Sequence, residues 1–109
     1  MDEKETWIKV ADDVQEVSFK ENGIASIKIG DKEVCLFKTI AGLKACAEKC
    51  PHAGGDLSKG FLDNRGNIVC PVHGYRFSVQ TGRDATGEGY FLKIYKVLQN
   101  DEGIFIKLE

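Results

Sequence analysis

Every proline and every histidine of this chain lies in two short units, Cys50-Pro51-His52 and Cys70-Pro71-Val72-His73. Each proline follows a cysteine directly, where its ring fixes φ and stiffens the chain. Each histidine comes one or two residues later. Glycines crowd the same stretches, as Gly54-Gly55 after the first unit and Gly74 after the second. Glycine permits sharp bends and close backbone approach. A fold for this chain must therefore present two stiff, sharply turned loops, each carrying one thiol and one imidazole.

The rest of the chain reads as short β segments divided by turn residues. Trp7, Ile8 and Val10 predict a first strand. IASIKI (24–29) follows Asn22-Gly23, EVCLFK (33–38) follows Gly30-Asp31, and LKACA (43–47) follows Ala41-Gly42. FLDNRGNIVC reads as a hairpin turning at Asn64-Arg65-Gly66-Asn67, and YRFSV (75–79) ends before Thr81-Gly82. FLKIYKVL puts Leu92, Ile94 and either Tyr95 or Val97 on packed faces, and IFIKL follows Asn100-Asp101-Glu102-Gly103. Strands recurring at such intervals predict an all-β fold, an antiparallel sandwich or barrel. The one helical feature expected is a short turn at Ala11-Asp12-Asp13-Val14. At 109 residues the chain fits a single domain, residues 1–109, near the small end of what one core supports.

Charge and hydropathy narrow the function classes. A formal charge of -2, with lysines and acids interspersed, offers no basic stripe for nucleic acid. No apolar run approaches the roughly 20 residues that span a bilayer. The acidic start, MDEKETW, lacks the apolar segment of a secretory signal. A cytoplasmic protein without a membrane partner is the expectation, and in a reducing cytosol Cys35, Cys46, Cys50 and Cys70 are better read as thiols or metal ligands than as disulfides.

Three readings of the Cys/His loops compete. Buried cysteines and hydrogen-bonded histidines can fall together by chance, but then the glycines go unexplained. A structural zinc site takes two Cys and two His, usually with like ligands adjacent; here they alternate, which zinc tolerates. A binuclear [2Fe–2S] centre takes two cysteines on one iron and two histidines on the other. Two facing loops that each give one of each kind supply that set, with the second imidazole nitrogen free to reach solvent or a partner.

The string C-P-H-A-G-G-x-L followed by C-P-x-H-G-Y-x-F resembles the C-x-H…C-x-x-H signature of the Rieske iron–sulfur family. Trp7, Ala45, Leu57, Gly60, Phe77 and Thr81-Gly82 also fall where the family has such residues, so the resemblance covers most of the chain. It implies a Rieske-like sandwich of stacked small sheets with two cluster-binding hairpin loops. Cys50 and Cys70 would ligate one iron, and His52 and His73 the other.

Two absences point to a subclass. Respiratory and photosynthetic members carry an extra cysteine in each loop, joined as a disulfide; the matching positions here are Gly55 and Val72. Their serine and tyrosine hydrogen-bond donors correspond to Tyr75 and Phe77. Fewer donors to sulfur imply a potential near the low end of the roughly −150 to +300 mV spanned by Rieske centres. The resemblance is then to soluble Rieske ferredoxins. It implies a monomeric one-electron carrier, not itself an enzyme, between a flavin-dependent reductase and a terminal oxygenase. With no histidine left for a two-His, one-carboxylate iron site, oxygen activation by this chain is not expected. The rival reading is the small subunit of an NAD(P)H nitrite reductase, partnered by its large subunit; a zinc-stabilised interaction module is the rival of another class.

The docking tip is expected at exposed His52 and His73, rimmed by Ala53, Gly54, Gly74 and Tyr75. TGEGYF (86–91) has no proline where family members often do, but Gly87 and Gly89 can still cover the site with Tyr90 as a lid. Cys35 reads as a small core residue, and Cys46, set opposite in facing to Ala45 and Ala47, as a second free thiol.

Overall fold

The computed structural model describes residues 7–52, 54–85 and 87–108. Among these, nine strands form: β1 (Trp7–Ala11), β2 (Ile24–Ile29), β3 (Lys32–Thr39), β4 (Gly42–Ala47), β5 (Phe61–Leu62), β6 (Asn67–Val69), β7 (Arg76–Ser78), β8 (Ile94–Asn100) and β9 (Gly103–Lys107). Every pairing between them is antiparallel. One sheet runs β1-β9-β8-β4-β3-β2 and a smaller one runs β5-β6-β7. The long sheet is thinnest at β4–β8, which pair only through Ala45↔Tyr95 and Cys46↔Ile94. It thus reads as two three-stranded halves joined at a short seam, in keeping with a sandwich of small sheets.

Strand β3 explains why two halves and a third sheet cohere. A one-sided strand alternates buried and exposed residues, but Val34, Cys35, Leu36 and Phe37 are all fully buried. Because successive side chains point to opposite faces, Cys35 and Phe37 enter one core with Ile24, Cys46, Leu57, Ile68, Phe77, Val79 and Leu92. Val34 and Leu36 enter the other, with Ala25, Ala45, Tyr95, Ile104 and Ile106. Cys50 and Cys70 belong to the first core. Cys35 and Cys46, directly opposite in register, are both buried free thiols, as expected.

The strands fall close to their predicted places, and the departures have local causes. The helical turn is a 3-10 turn at Val14–Glu16, not at residues 11–14. Ala11 is held in β1 opposite Ile104, so Asp13 is the first side chain free to cap, accepting from Gln15 N. A second 3-10 turn, Leu57–Lys59, was not foreseen; Asp56 caps it in the same way. Asn67 is part of β6 and leaves the hairpin turn. Leu92 and Tyr95 are buried, while Ile94 and Val97 are half-buried.

That β5–β6 turn is organised by one carboxylate. Asp63 accepts from Arg65 N at 2.9 Å, Asn67 N at 3.0 Å and Asn67 Nδ2 at 3.0 Å. It also pairs with Arg76 of β7 at 2.9 Å. Burial alone would raise the Asp63 carboxyl, but these donors outweigh it and hold it below the usual range. A depressed carboxyl stabilises the fold above its unfolded value near 3.9 and loses that contribution as pH falls through the folded value. Asp63→Ala is expected to cost about 1.5–3 kcal/mol at neutral pH, the worth of hydrogen bonds to a charged group. Thermal midpoints measured at pH 7 and below pH 4 should show the gap from wild type shrinking in acid. Equal midpoints at pH 7 would refute this role.

Candidate metal centre

Strand β4 runs out toward Cys50 and strand β6 runs directly into Cys70. Each cysteine then opens a loop closed by the same two backbone hydrogen bonds. In the first, Cys50 N donates to Gly55 O at 2.8 Å and Gly54 N donates to Cys50 O at 2.8 Å. In the second, Cys70 N donates to Tyr75 O at 2.8 Å and Gly74 N donates to Cys70 O at 3.0 Å. Gly54 and Gly74 take almost identical left-handed conformations, φ +73° and +72°, which other residues adopt only with strain. The two loops are therefore one frame used twice. The spacings C-x-H and C-x-x-H differ only in which rung of that frame carries the imidazole.

The frame separates thiols from imidazoles. Cys50 and Cys70 are 2% and 1% exposed, in the core. Burial pushes the Cys70 thiol up; the N–H groups of Val72 and His73 oppose the rise, and the adjacent Cys50 thiol adds to it. Two neighbouring buried thiolates are costly unless a cation lies against both. The imidazoles sit further out, with ring centroids 5.2 Å apart and planes at 70°. His52 Nδ1 is buried and has no hydrogen-bond partner. Such an orphan costs about 1–3 kcal/mol unless something binds it. Among the described residues no group of three or more His, Cys, Asp or Glu side chains is placed to hold a metal ion. Two thiols and two imidazoles are donor types that a tetrahedral zinc ion and a mixed-ligand binuclear iron centre both accept.

The expected correspondence of Gly55 and Val72 with a bracing disulfide has a counterpart in space. A Cβ on Gly55 would stand 2.5 Å from Val72 Cγ2 and 2.9 Å from Cys70 Sγ. The loops touch at these positions by close packing instead of a covalent link. The base of the first loop is pinned from behind. Ser26 Oγ donates to Glu48 Oε1 at 2.6 Å, Ser58 Oγ donates to Asp56 Oδ1 at 2.7 Å, and Asn22 Nδ2 donates to both Ser58 O and Gly60 O. Burial, partly offset by Ser26, raises the Glu48 carboxyl, and the nearby Asp56 adds to the rise.

One expectation about the rim needs correction. His73 is exposed, but His52 is half-buried, because Tyr75 stacks on it at 3.8 Å with planes 12° apart. Tyr90 contributes an edge, 5.2 Å from His52, so it covers one side as a lid would. Ala53 and Thr86 lie outside the described residues. The Tyr75 hydroxyl donates to Glu88 at 2.6 Å; that bond raises the phenol to about 12. Phe77 is fully buried and has no donor. Sequence reasoning missed Glu88 entirely, since an acid in a glycine-rich loop carries no signal of its own. A groove of about 580 Å³ lies at the far ends of β4 and β6 and involves neither loop.

Gly55→Ala should force apart the loop contact and cost about 1–3 kcal/mol, as overpacking does. Iron and sulfide per chain should fall with it. Adding Val72→Ala removes the obstructing Cγ2 and should recover part of both losses. A single variant with full metal content and an unchanged thermal midpoint would contradict the contact.

Comparison with known proteins bears on the whole chain. The model for the Rieske [2Fe-2S] domain matches residues 6–89. The ferredoxin component of naphthalene 1,2-dioxygenase/salicylate 5-hydroxylase systems from Ralstonia sp is 31% identical over 108 residues, 96% of this chain and 98% of that one. The solved ferredoxin of carbazole 1,9a-dioxygenase from Nocardioides aromaticivorans superposes with a TM-score of 0.79 at 24% identity, over 95% of this chain and 99% of that one. A Mycobacterium tuberculosis structure described as an NADH-dependent nitrite reductase small subunit gives 0.81 at 18% identity, over 98% of each chain. At such identities these structural likenesses are likenesses of fold. The match to most of the chain, together with full-length similarity to a ferredoxin component, establishes that this chain belongs to the Rieske [2Fe-2S] domain family.

Proposed function

We propose that this chain, read as one domain over residues 1–109, is a soluble, cytoplasmic and monomeric ferredoxin. It takes one electron from a flavin-dependent reductase and gives it to a terminal oxygenase, without catalysing a reaction itself. The observation that carries the reading is the doubled loop frame, with paired thiols inside and paired imidazoles outside. Cys50 and Cys70 hold one iron of a [2Fe–2S] cluster, and His52 and His73 hold the other. The full-length similarity to a dioxygenase ferredoxin component supports this choice of partners. The nitrite reductase rival has only a likeness of fold behind it, and no helix among the described residues is long and apolar enough to cross a membrane.

Bound there, the cluster supplies a one-electron redox centre. The protein's part is to hold and tune it. The thiolate of Cys70 is stabilised by the N–H groups of Val72 and His73; hydrogen bonds to ligand sulfur favour the reduced state. Further donors are few, because Phe77 has none and the Tyr75 hydroxyl is engaged with Glu88. The potential should therefore lie in the lower part of the roughly −150 to +300 mV Rieske range. Partner encounters at the imidazole tip are small and transient, as redox contacts usually are.

The test is an absorption spectrum of the purified protein, then electron paramagnetic resonance after dithionite reduction. A red-brown protein with the low average g-value of a mixed Cys/His cluster is expected. Cys50→Ser and Cys70→Ser should lose the iron, whereas Cys35→Ala and Cys46→Ala should keep the colour. A colourless, resonance-silent protein that carries zinc even after iron and sulfide are restored anaerobically would overturn the electron-transfer reading. Phe77→Tyr, by adding a hydroxyl in the core that also holds Cys50 and Cys70, should shift the potential upward in voltammetry.

A further inference from the structure

We propose that Tyr75, anchored by Glu88, is the positioning residue for His52: it holds that imidazole in one plane and keeps water from its outer face. This rests on the reading of His52 as a residue that holds iron. It concerns residues to which the ligand signature gives no role.

The geometry is that of a strap between loops. The backbone of Tyr75 closes the second loop through its carbonyl, which accepts from Cys70 N at 2.8 Å. Its ring reaches across to the histidine of the first loop, stacking on His52 at 3.8 Å and 12°. A phenol in that place could swing outward, since the site is at the surface. It is fixed at its far end, where its hydroxyl donates to Glu88 Oε1 at 2.6 Å. Glu88 belongs to a third loop, whose ends are tied by Asp84 N donating to Tyr90 O at 3.2 Å. The same loop brings Tyr90 edge-on to both rings, 5.2 Å from His52 at 76° and 5.8 Å from Tyr75 at 78°.

His52 is thus covered by the stacked Tyr75 ring and the nearly perpendicular Tyr90 ring, while its Nδ1 is buried without a hydrogen-bond partner. His73 has no stacked neighbour among the described residues; its ring contact is the edge of His52, and it is exposed. The two imidazoles that the signature treats alike are held differently. One is clamped and sheltered, and the other faces solvent.

A clamped imidazole samples fewer orientations about its ring nitrogen, so its bond to a metal is more uniform from molecule to molecule. Water kept from that side also matters, because hydration stabilises the more negative, reduced state. Removing the ring should therefore widen the spread of resonance positions and raise the potential. A residue that merely stabilised the fold would change the melting behaviour and leave the resonance alone.

The experiment uses the holoprotein and the variants Tyr75→Ala, Tyr75→Phe and Glu88→Ala. Each is read by electron paramagnetic resonance of the reduced form, by voltammetry, and by deuterium modulation in frozen D₂O. Tyr75→Ala should broaden or shift the g-values, raise the potential and increase the deuterium modulation. Tyr75→Phe and Glu88→Ala keep the ring but lose its anchor, and should fall between Tyr75→Ala and wild type in line width. If Tyr75→Ala fails to hold the cluster, Tyr75→Leu, which keeps apolar bulk without a planar ring, is judged by the same readouts. A ringless variant that matches wild type in g-values and modulation would overturn the proposal. Anchor variants as sharp as wild type would overturn the part played by Glu88. A wild-type protein lacking the mixed Cys/His resonance fails earlier, at the functional reading itself, so the two failures are distinguishable.

Discussion

Two thiols buried side by side set the terms for the structure around them. Cys50 and Cys70 lie in a core shared with Ile24, Phe37, Leu57, Ile68, Phe77 and Leu92. Neighbouring sulfur groups in such surroundings need either protons or a cation, together with backbone donors pointed at them. The chain meets the last requirement by turning back at once after each cysteine, which brings the N–H groups of Val72 and His73 to Cys70. Turning so tightly requires the left-handed residues Gly54 and Gly74. Bringing two such loops together requires Gly55, whose missing side chain leaves room for Val72 and Cys70.

The sheets serve this arrangement from below. β3 is buried on both faces, so it joins the core beneath the cysteines to the core of the other half. A strand of that kind cannot slip by one residue without exchanging the contents of two cores. The register Cys35↔Cys46 and Leu36↔Ala45 is thereby fixed, and with it the point at which β4 leads into Cys50. Asp63 fixes the opposite sheet by tying the β5–β6 turn to Arg76 of β7. The rigidity is placed where a small one-electron carrier needs it, since a donor set that barely moves has little to reorganise when charge changes.

Above the cysteines the symmetry of the loops ends. Equal frames place their histidines on different rungs, and only one of these falls under the Tyr75 ring. The hydroxyl that a comparison of motifs would assign to a sulfur is turned instead to a carboxylate of the third loop. The feature that lowers the donor count near the site is also the feature that shelters His52. One side chain accounts for both.

Most of the strands, the identity of the loop residues and their chemical kind are legible from the order of residues alone. These are local matters: glycine, Asn-Gly and Asp-containing turns break strands by backbone preference, and thiols beside imidazoles state a ligand chemistry through composition and spacing. The errors of that reading were local too, as where Ala11 proved to be held by Ile104 across a ladder that no neighbouring residue announces. That β3 is two-sided, that C-x-H and C-x-x-H are one frame, and that His52 is covered while His73 is exposed emerge from packing in three dimensions. Those outcomes depend on contacts between segments far apart along the chain, Gly55 with Val72 and Tyr75 with Glu88. Such contacts are set by how sheets stack and how loops lean together, which the order of residues within either segment does not encode.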